Sequence, residues 1–422
     1  NNMSRRTYGN TLLLWFKLIC SMVKDNSKLF LLVLLGMLTA FGPFVTDMYL
    51  PSLPAMGDYF QTASSMVQLG LTTSMIGLAA GQILFGPLSD RYGRRIPLLT
   101  AMWLFIVSTI LCLFARDIHQ FVAFRLVQGI AGAGGIVIAR SVAADKYSGK
   151  ELAKMLAVIG AINGVAPVVA PIIGGVFTEA IGWQGIFGIL LGLGVVLLVG
   201  SYCFRESLPK EHRSVSRWGD TFRSFKVVLQ DRQYVFYVLQ MAFAQGVLFA
   251  YISSSPFIVQ QHYGYSPLVF SFCFAVNAVA IGVAAATSVK FRRPVSSTLI
   301  GCVGMAVATP GECPAVMTGC GFWMYEALLL VLLFMMGLTF TSTTTLAMEC
   351  QRDNAGTASA LLGAVCFASG GIVSPLVGLG DILVSTGIIF VISAGCSLSC
   401  ILLALGKRRA RLYFAFGTSP KR

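Results

Sequence analysis

Apolar runs of about twenty residues recur along the chain, each closed by a short polar segment. They fall at roughly 29–50, 66–88, 96–115, 119–141, 155–178, 182–203, 233–255, 266–289, 295–310, 322–346, 355–379 and 382–406. A bilayer-crossing helix needs about 20 apolar residues, so these runs predict an all-α polytopic membrane protein with twelve transmembrane helices. Most connections are short. The longest polar stretch, Arg205–Arg232, divides the runs six and six. That division predicts two six-helix bundles, 29–203 and 233–406, joined by the linker 204–232 and flanked by an N-terminal extension, 1–28, and a basic tail, 407–422. Residues 11–23 (TLLLWFKLICSMV) are too short to span, carry Lys17 and precede no small-residue cleavage site. They read as an interfacial amphipathic lead-in helix, with an uncleaved signal-anchor as the alternative.

Composition agrees with the pattern. Of 422 residues, 56% are hydrophobic and only 11% charged, against roughly 25% charged in a soluble domain, and the mean hydropathy is +0.77. The net charge of +14 does not make a nucleic-acid partner, because the basic residues sit in short segments between apolar runs rather than on one soluble face. Their distribution gives direction instead. Twenty-eight of the 31 Lys and Arg fall in the termini, the linker and alternate connections, one (Arg116) falls in a connection of the other set, and Arg125 and Arg140 lie within the fourth run. Positive charge is retained on the cytoplasmic side, so both termini and the linker are expected there. Eleven cysteines without a paired CxxC, and only three His, argue against a metal centre. Cys313 and Cys320, the cysteines expected in an outward connection, could form a disulfide.

Three motifs carry more information than a basic turn does. The turn after the second run reads Gly86-Pro87-Leu88-Ser89-Asp90-Arg91-Tyr92-Gly93-Arg94-Arg95, in which glycines permit a tight reversal and Asp90 can pair with Arg91 or Arg94. The fourth run contains Arg125-Leu126-Val127-Gln128-Gly129, and the fifth contains Ala166-Pro167 and Ala170-Pro171-Ile172-Ile173-Gly174-Gly175. These strings resemble the signature turn, the Arg-x-x-Gln-Gly motif and the antiporter motif of the major facilitator superfamily, although drug-exporting members usually have Gly-Pro at the Ala170-Pro171 position. With Thr46–Pro54 in the first run and Ala355–Gly363 in the eleventh, the chain is similar over residues 29–406 to the bicyclomycin-resistance (Bcr/CflA) group of drug:proton antiporters. Arg352-Asp353-Asn354 and Cys366 depart from that group's pattern.

Ionisable residues inside a span are costly and normally have a partner or a task. Asp47 is the clearest acid, near the outer end of the first run, where an interfacial position is the alternative because Pro51 soon follows. The resemblance implies that Asp47 handles protons and that Thr46 faces substrate. Arg125 cannot release its proton usefully. It reads either as a fixed strut bonded to Gln128, backbone carbonyls or Asp47 itself, or, as the resemblance implies, as a modulator of protonation on the first helix. The resemblance also implies a conformational switch made of Gly86, Asp90, Arg91, Gly93, Arg94 and Asp145, while Arg140 is expected to be structural. Pro167, Pro171, Gly174 and Gly175 suit bending and close packing in the fifth helix. Gln240, Tyr251, Phe274 and Asn277 are candidates for the second-half cavity. Glu326 follows Trp323 and Tyr325 and reads as interfacial.

The resemblance implies a secondary active multidrug exporter, a monomer in a bacterial inner membrane, that exchanges protons for small lipophilic compounds without a cofactor. No GxxxxGK[ST] loop is present to bind ATP. An exporter of an amino acid or other metabolite is the alternative within transport. An ion channel would need a selectivity constriction, and no filter sequence is visible; an enzyme would need clustered catalytic groups, which are likewise missing from the sequence.

Overall fold

A computed structural model describes residues 27–213, 225–317, 320–351 and 355–416. The lead-in segment 11–23 and the Arg352–Asn354 departure lie outside the described residues, as does the middle of the linker. The described chain is helical from end to end, with α1 (Lys28–Asp47), α2 (Leu53–Phe60), α3 (Ser64–Tyr92), α4 (Arg95–Leu113), α5 (Ile118–Lys146), α6 (Gly149–Cys203), α7 (Arg232–Phe257), α8 (Pro267–Ser288), α9 (Pro294–Met317), α10 (Phe322–Cys350), α11 (Ala355–Val377) and α12 (Ile382–Phe416). Side-chain caps start several of them. Ser27, Asp117, Asp231 and Ser266 each accept a hydrogen bond from an amide in the first turn, satisfying donors that have no intrahelical partner.

Ten of these stretches are long and apolar enough to cross a membrane, and they account for eleven of the twelve expected spans. The fifth and sixth run as one 55-residue helical stretch, α6, that reverses at Gly182 (φ 65°, ψ −176°). Glycine suits this position, because the left-handed φ would strain any other residue. The ninth run falls on α9, which is helical but is not among the ten. The first run ends earlier than its apolar pattern suggests. α1 stops at Asp47, and a short 3-10 turn, Leu50–Ser52, leads into α2, because Pro51 and Pro54 have no amide hydrogen to continue the ladder.

Close packing rests on glycine, since apolar lipid gives helices little hydrophobic reason to associate. A Cβ on Gly129 would lie 2.1 Å from the Ser74 carbonyl, and one on Gly77 would lie 2.3 Å from the Leu126 carbonyl. Neither position admits a side chain, which is how α3 and α5 come into backbone contact. On the outside, Val276, Val279 and Val283 of α8 and Val195, Val196 and Val199 of α6 are exposed, as a lipid-facing surface requires.

The two halves meet at the end that carries Pro51. At the Pro51 end, Gln260 Nε2 donates to the Pro51 carbonyl at 3.0 Å and Gln68 Nε2 donates to the Ser253 carbonyl at 3.1 Å. Gly175 of α6 meets Ser271 of α8 there. Eleven residues make about three helical turns, so Gly164 shares a face with Gly175, and Gly282 shares one with Ser271. A Cβ on Gly164 or Gly282 would meet open space, whereas one on Gly175 would lie 2.2 Å from Ser271 Oγ. The close contact of α6 with α8 at Gly175 is therefore not repeated three turns nearer the Asp90–Arg95 turn, whereas α3 and α11 stay in contact from Gln68 beside Gly378 to Gln82 beside Gly363.

Candidate functional site

Asp47 is the last residue of α1 and is 7% exposed. Its carboxylate accepts a hydrogen bond from Thr46 Oγ1 at 2.7 Å, and the same hydroxyl lies 3.1 Å from the Gly42 carbonyl. One hydroxyl hydrogen serves two acceptors, so Thr46 can turn from one to the other. No basic side chain pairs with Asp47 among the described residues. Arg125 is fully buried but directed elsewhere: Nη2 donates to the Val45 carbonyl at 3.1 Å, Nε donates to the Gly70 carbonyl at 3.4 Å, and Nη1 donates to Gln128 Oε1. Gln128 in turn donates to Thr109 Oγ1 at 2.7 Å.

This arrangement follows from where α1 ends. The Val45 carbonyl belongs to the last turn, whose acceptors have no intrahelical donor, and a guanidinium there also suits the negative end of the helix dipole. The Tyr49 ring lies 4.4 Å from the guanidinium carbon and the Phe187 ring 5.7 Å from it, giving the cation two aromatic faces. Arg125 thus joins α1, α3 and α5, with α4 reached through Gln128, and it holds the backbone two residues before Asp47 without neutralising the acid.

At the opposite end, the Asp90–Arg95 turn forms a second polar centre. Arg94 donates to Asp90 Oδ1 at 2.5 Å, to Asp145 Oδ2 at 2.8 Å and to Ser89 Oγ at 2.8 Å. Burial disfavours its charge, but the hydrogen bonds to Asp145 and Asp90 outweigh that effect and hold its pKa above the ordinary value. Gly93 makes the reversal with φ at 89°. Arg91 lies over the Tyr92 ring instead of joining the ion pairs, Arg140 forms no ion pair among the described residues, and Gly86 sits within α3 with open space beside it.

Glu206, which belongs to none of the sequence motifs, completes this centre. Its carboxylate accepts from the amides of Arg94 (2.8 Å), Arg95 (3.2 Å), Ser207 (3.1 Å) and Leu208 (3.1 Å). It therefore caps α4, where an anion is favoured, while Ser207 Oγ donates to Asp145 at 2.9 Å. The start of the linker is tied to the turn. Arg94→Ala is expected to slow transport by about ten-fold, the order of a lost coupling of ~1–3 kcal/mol, with substrate affinity near wild type. Equilibrium binding and initial transport rates measured on the same preparation check this; equal losses in both would indicate a folding defect instead.

In α6, a Cβ on Gly174 would lie 1.9 Å from the Met48 carbonyl, so Gly174 brings this helix onto the end of α1 while Gly175 meets α8. Pro167 and Pro171 lie in the preceding turns of the same helix. In the second half, Tyr251, Phe274 and Asn277 come together. Tyr251 stacks on Phe274 with ring centroids 5.4 Å apart, and Asn277 Nδ2 donates to the Tyr251 hydroxyl at 3.2 Å. Gln240 lies three turns away along α7 and bonds to Ser397 (3.0 Å) and Thr343 (2.6 Å) in the interior of that half. Glu326, despite its aromatic flank, points towards the same group, accepting from Asn277 Nδ2 at 2.8 Å. Cys320 is a free thiol, and the side chain of Cys313 lies outside the described residues.

Ten membrane-length helical stretches around buried polar residues have the build of a polytopic membrane protein. The Major Facilitator Superfamily profile matches residues 29–375, and the chain belongs to that family. It is 37% identical over 364 residues to the MFS-type transporter YdgK of Bacillus subtilis, covering 84% of this chain and 90% of that one. It is 27% identical over 363 residues to the bicyclomycin resistance protein homolog of Haemophilus influenzae, with the same coverage. The multidrug resistance protein MdtL of Citrobacter koseri is 25% identical over 378 residues, 88% of this chain and 94% of that one. These relatives match the expected resemblance to the bicyclomycin-resistance group. Among solved structures, a D-xylose–proton symporter superposes with a TM-score of 0.68 at 17% identity, covering 87% of this chain and 96% of that one. An inward-facing bacterial homologue of the lysosomal transporter Spinster gives 0.69 at 18%, covering 90% and 95%. At these identities the structural likeness concerns the fold.

Proposed function

We propose that the protein is a proton-coupled exporter of small, largely apolar, drug-like compounds in a bacterial inner membrane. Its termini and linker are cytoplasmic, and it acts as a monomer whose two halves rock about a central site. The observation that carries this reading is Asp47. It is a buried carboxylic acid at the break of α1 with no basic partner among the described residues, beside an arginine fully engaged with carbonyls and Gln128. Such an acid can take up and release a proton as access alternates, whereas Arg125 cannot. Drug-resistance relatives support an exported drug-like compound.

The test is uptake of an antibiotic panel into everted membrane vesicles with and without an uncoupler. Uptake of at least one lipophilic compound that the uncoupler abolishes is expected; uptake confined to amino acids or sugars would favour a metabolite exporter. Orientation is tested separately. Reporter fusions after Gln230 and after Leu405 are expected to give cytoplasmic signals, and a periplasmic signal at either would break the topology.

A further inference from the structure

Glu326 lies in the second turn of α10, inside a membrane-spanning helix, and has no basic partner among the described residues. Its carboxylate accepts a hydrogen bond from Asn277 Nδ2 at 2.8 Å. The same nitrogen serves the Tyr251 hydroxyl at 3.2 Å, so both amide hydrogens are committed. Asn277 is wholly buried, and its Oδ1 has no donor among the described residues. A carboxylate and an amide oxygen are thus left side by side as acceptors, and in the membrane interior both are costly to leave unmatched.

No basic side chain among the described residues matches them. Among the described residues, the titratable groups near Glu326 include the Tyr251 hydroxyl on α7 and the Cys273 thiol on α8, neither of which carries positive charge. By depth along α8, Asn277 lies between Ser271, where the halves are closed, and Gly282, which faces open space. The stacked rings of Tyr251 and Phe274 lie beside Asn277.

We infer that Glu326, Asn277 and Tyr251 form a receptor for the protonated amine of an exported lipophilic compound. This rests on the exporter reading and narrows its substrate class. An ammonium group carries the charge that Glu326 lacks a partner for, and its N–H supplies the donor missing at Asn277 Oδ1. A quaternary or phosphonium cation supplies charge without a donor, and a neutral drug supplies no charge.

The full-length protein, purified in detergent, is tested by equilibrium binding of three probes: propranolol, a lipophilic secondary amine charged at neutral pH; tetraphenylphosphonium, charged without an N–H; and neutral chloramphenicol. Glu326→Gln is expected to weaken propranolol binding by at least about ten-fold, as loss of a charge-assisted hydrogen bond implies. Glu326→Asp should restore part of the affinity, and Asn277→Leu should weaken propranolol more than tetraphenylphosphonium. Chloramphenicol, which brings no positive charge for Glu326, should bind Glu326→Gln and Glu326→Asp as it binds wild type, and thermal melting at the wild-type temperature reports that all three variants are folded. Propranolol bound by Glu326→Gln as tightly as by wild type, with chloramphenicol binding intact, overturns this assignment alone. Wild-type protein that binds none of the three contradicts the exporter reading and this assignment with it.

Discussion

Asp47→Asn is expected to abolish proton-driven efflux while leaving the protein folded. The substitution keeps the size of the side chain and its ability to hydrogen-bond, but it removes the carboxyl group proposed to exchange a proton. Thr46 Oγ1 can still donate to the amide oxygen introduced at position 47 or to the Gly42 carbonyl, 3.1 Å away, so the end of α1 loses no hydrogen bond. Arg125 makes its contacts with Val45, Gly70 and Gln128, none of which involves the Asp47 side chain, and should stay in place. Neutral compounds should still bind, and cationic ones should bind more weakly because a nearby negative charge is lost. The measurement is proton release from purified protein on addition of substrate. Release at the wild-type level by the variant would remove Asp47 from the mechanism and leave Glu326 as the next carboxylate to test.

Gly175→Val should shift the protein towards the state opened at the Pro51 end. A Cβ at this position would lie 2.2 Å from Ser271 Oγ and 2.9 Å from the Pro267 carbonyl, so α6 and α8 cannot close as they do in the structure. Overpacking of this kind costs about 1–3 kcal/mol, a change of about ten- to a hundred-fold in the ratio of the two states. Spin labels at Gln61 and Gln261, both exposed at the Pro51 end, should report longer distances in the variant. Gly164→Val provides the control, because it lies on the same face three turns away and faces open space. An unchanged distance distribution in Gly175→Val would mean that this contact does not govern closure.

The helical spans were legible because a bilayer imposes one length and one polarity on every segment that crosses it. Their ends were less so. Hydropathy carried the first span through Leu50, whereas the helix stops at Asp47 ahead of two prolines; likewise, α12 continues to Phe416, beyond the 406 expected from apolarity, because basic residues end an apolar run without ending a helix. Within the candidate site, Asp90, Arg94 and Asp145 could be grouped from their motif and charge. Glu206 could not, since a carboxylate in a polar linker looks like an ordinary solvated charge until its four amide donors are seen. The Ser-Leu-Pro that follows it, where helical pattern gives way to a turn, was the available signal.

Glu326 shows a different limit. Trp323 and Tyr325 describe how deep the start of a helix lies, but they carry no information about which way the fourth residue after Phe322 faces. Asn277 is 49 residues distant in the chain, and no local pattern links the two. The second-half candidates divided for the same reason. Tyr251 and Gln240 share a face of α7, yet one meets Asn277 and the other Ser397 and Thr343, because the neighbouring helices differ at the two depths. Periodicity assigns a face; only the packed bundle assigns its partner.

The central claim is that outward movement of substrate is exchanged for inward movement of protons. It is tested most directly in proteoliposomes containing only this protein, a transported lipophilic compound and a pH-sensitive dye in the lumen. With the lumen made acidic relative to the bath, the compound should accumulate inside as the lumen becomes more alkaline, both changes should cease when the gradient is collapsed, and neither should occur with Asp47→Asn. Accumulation that proceeds at the same rate without a gradient, or with no accompanying change in luminal pH, would contradict proton-coupled antiport.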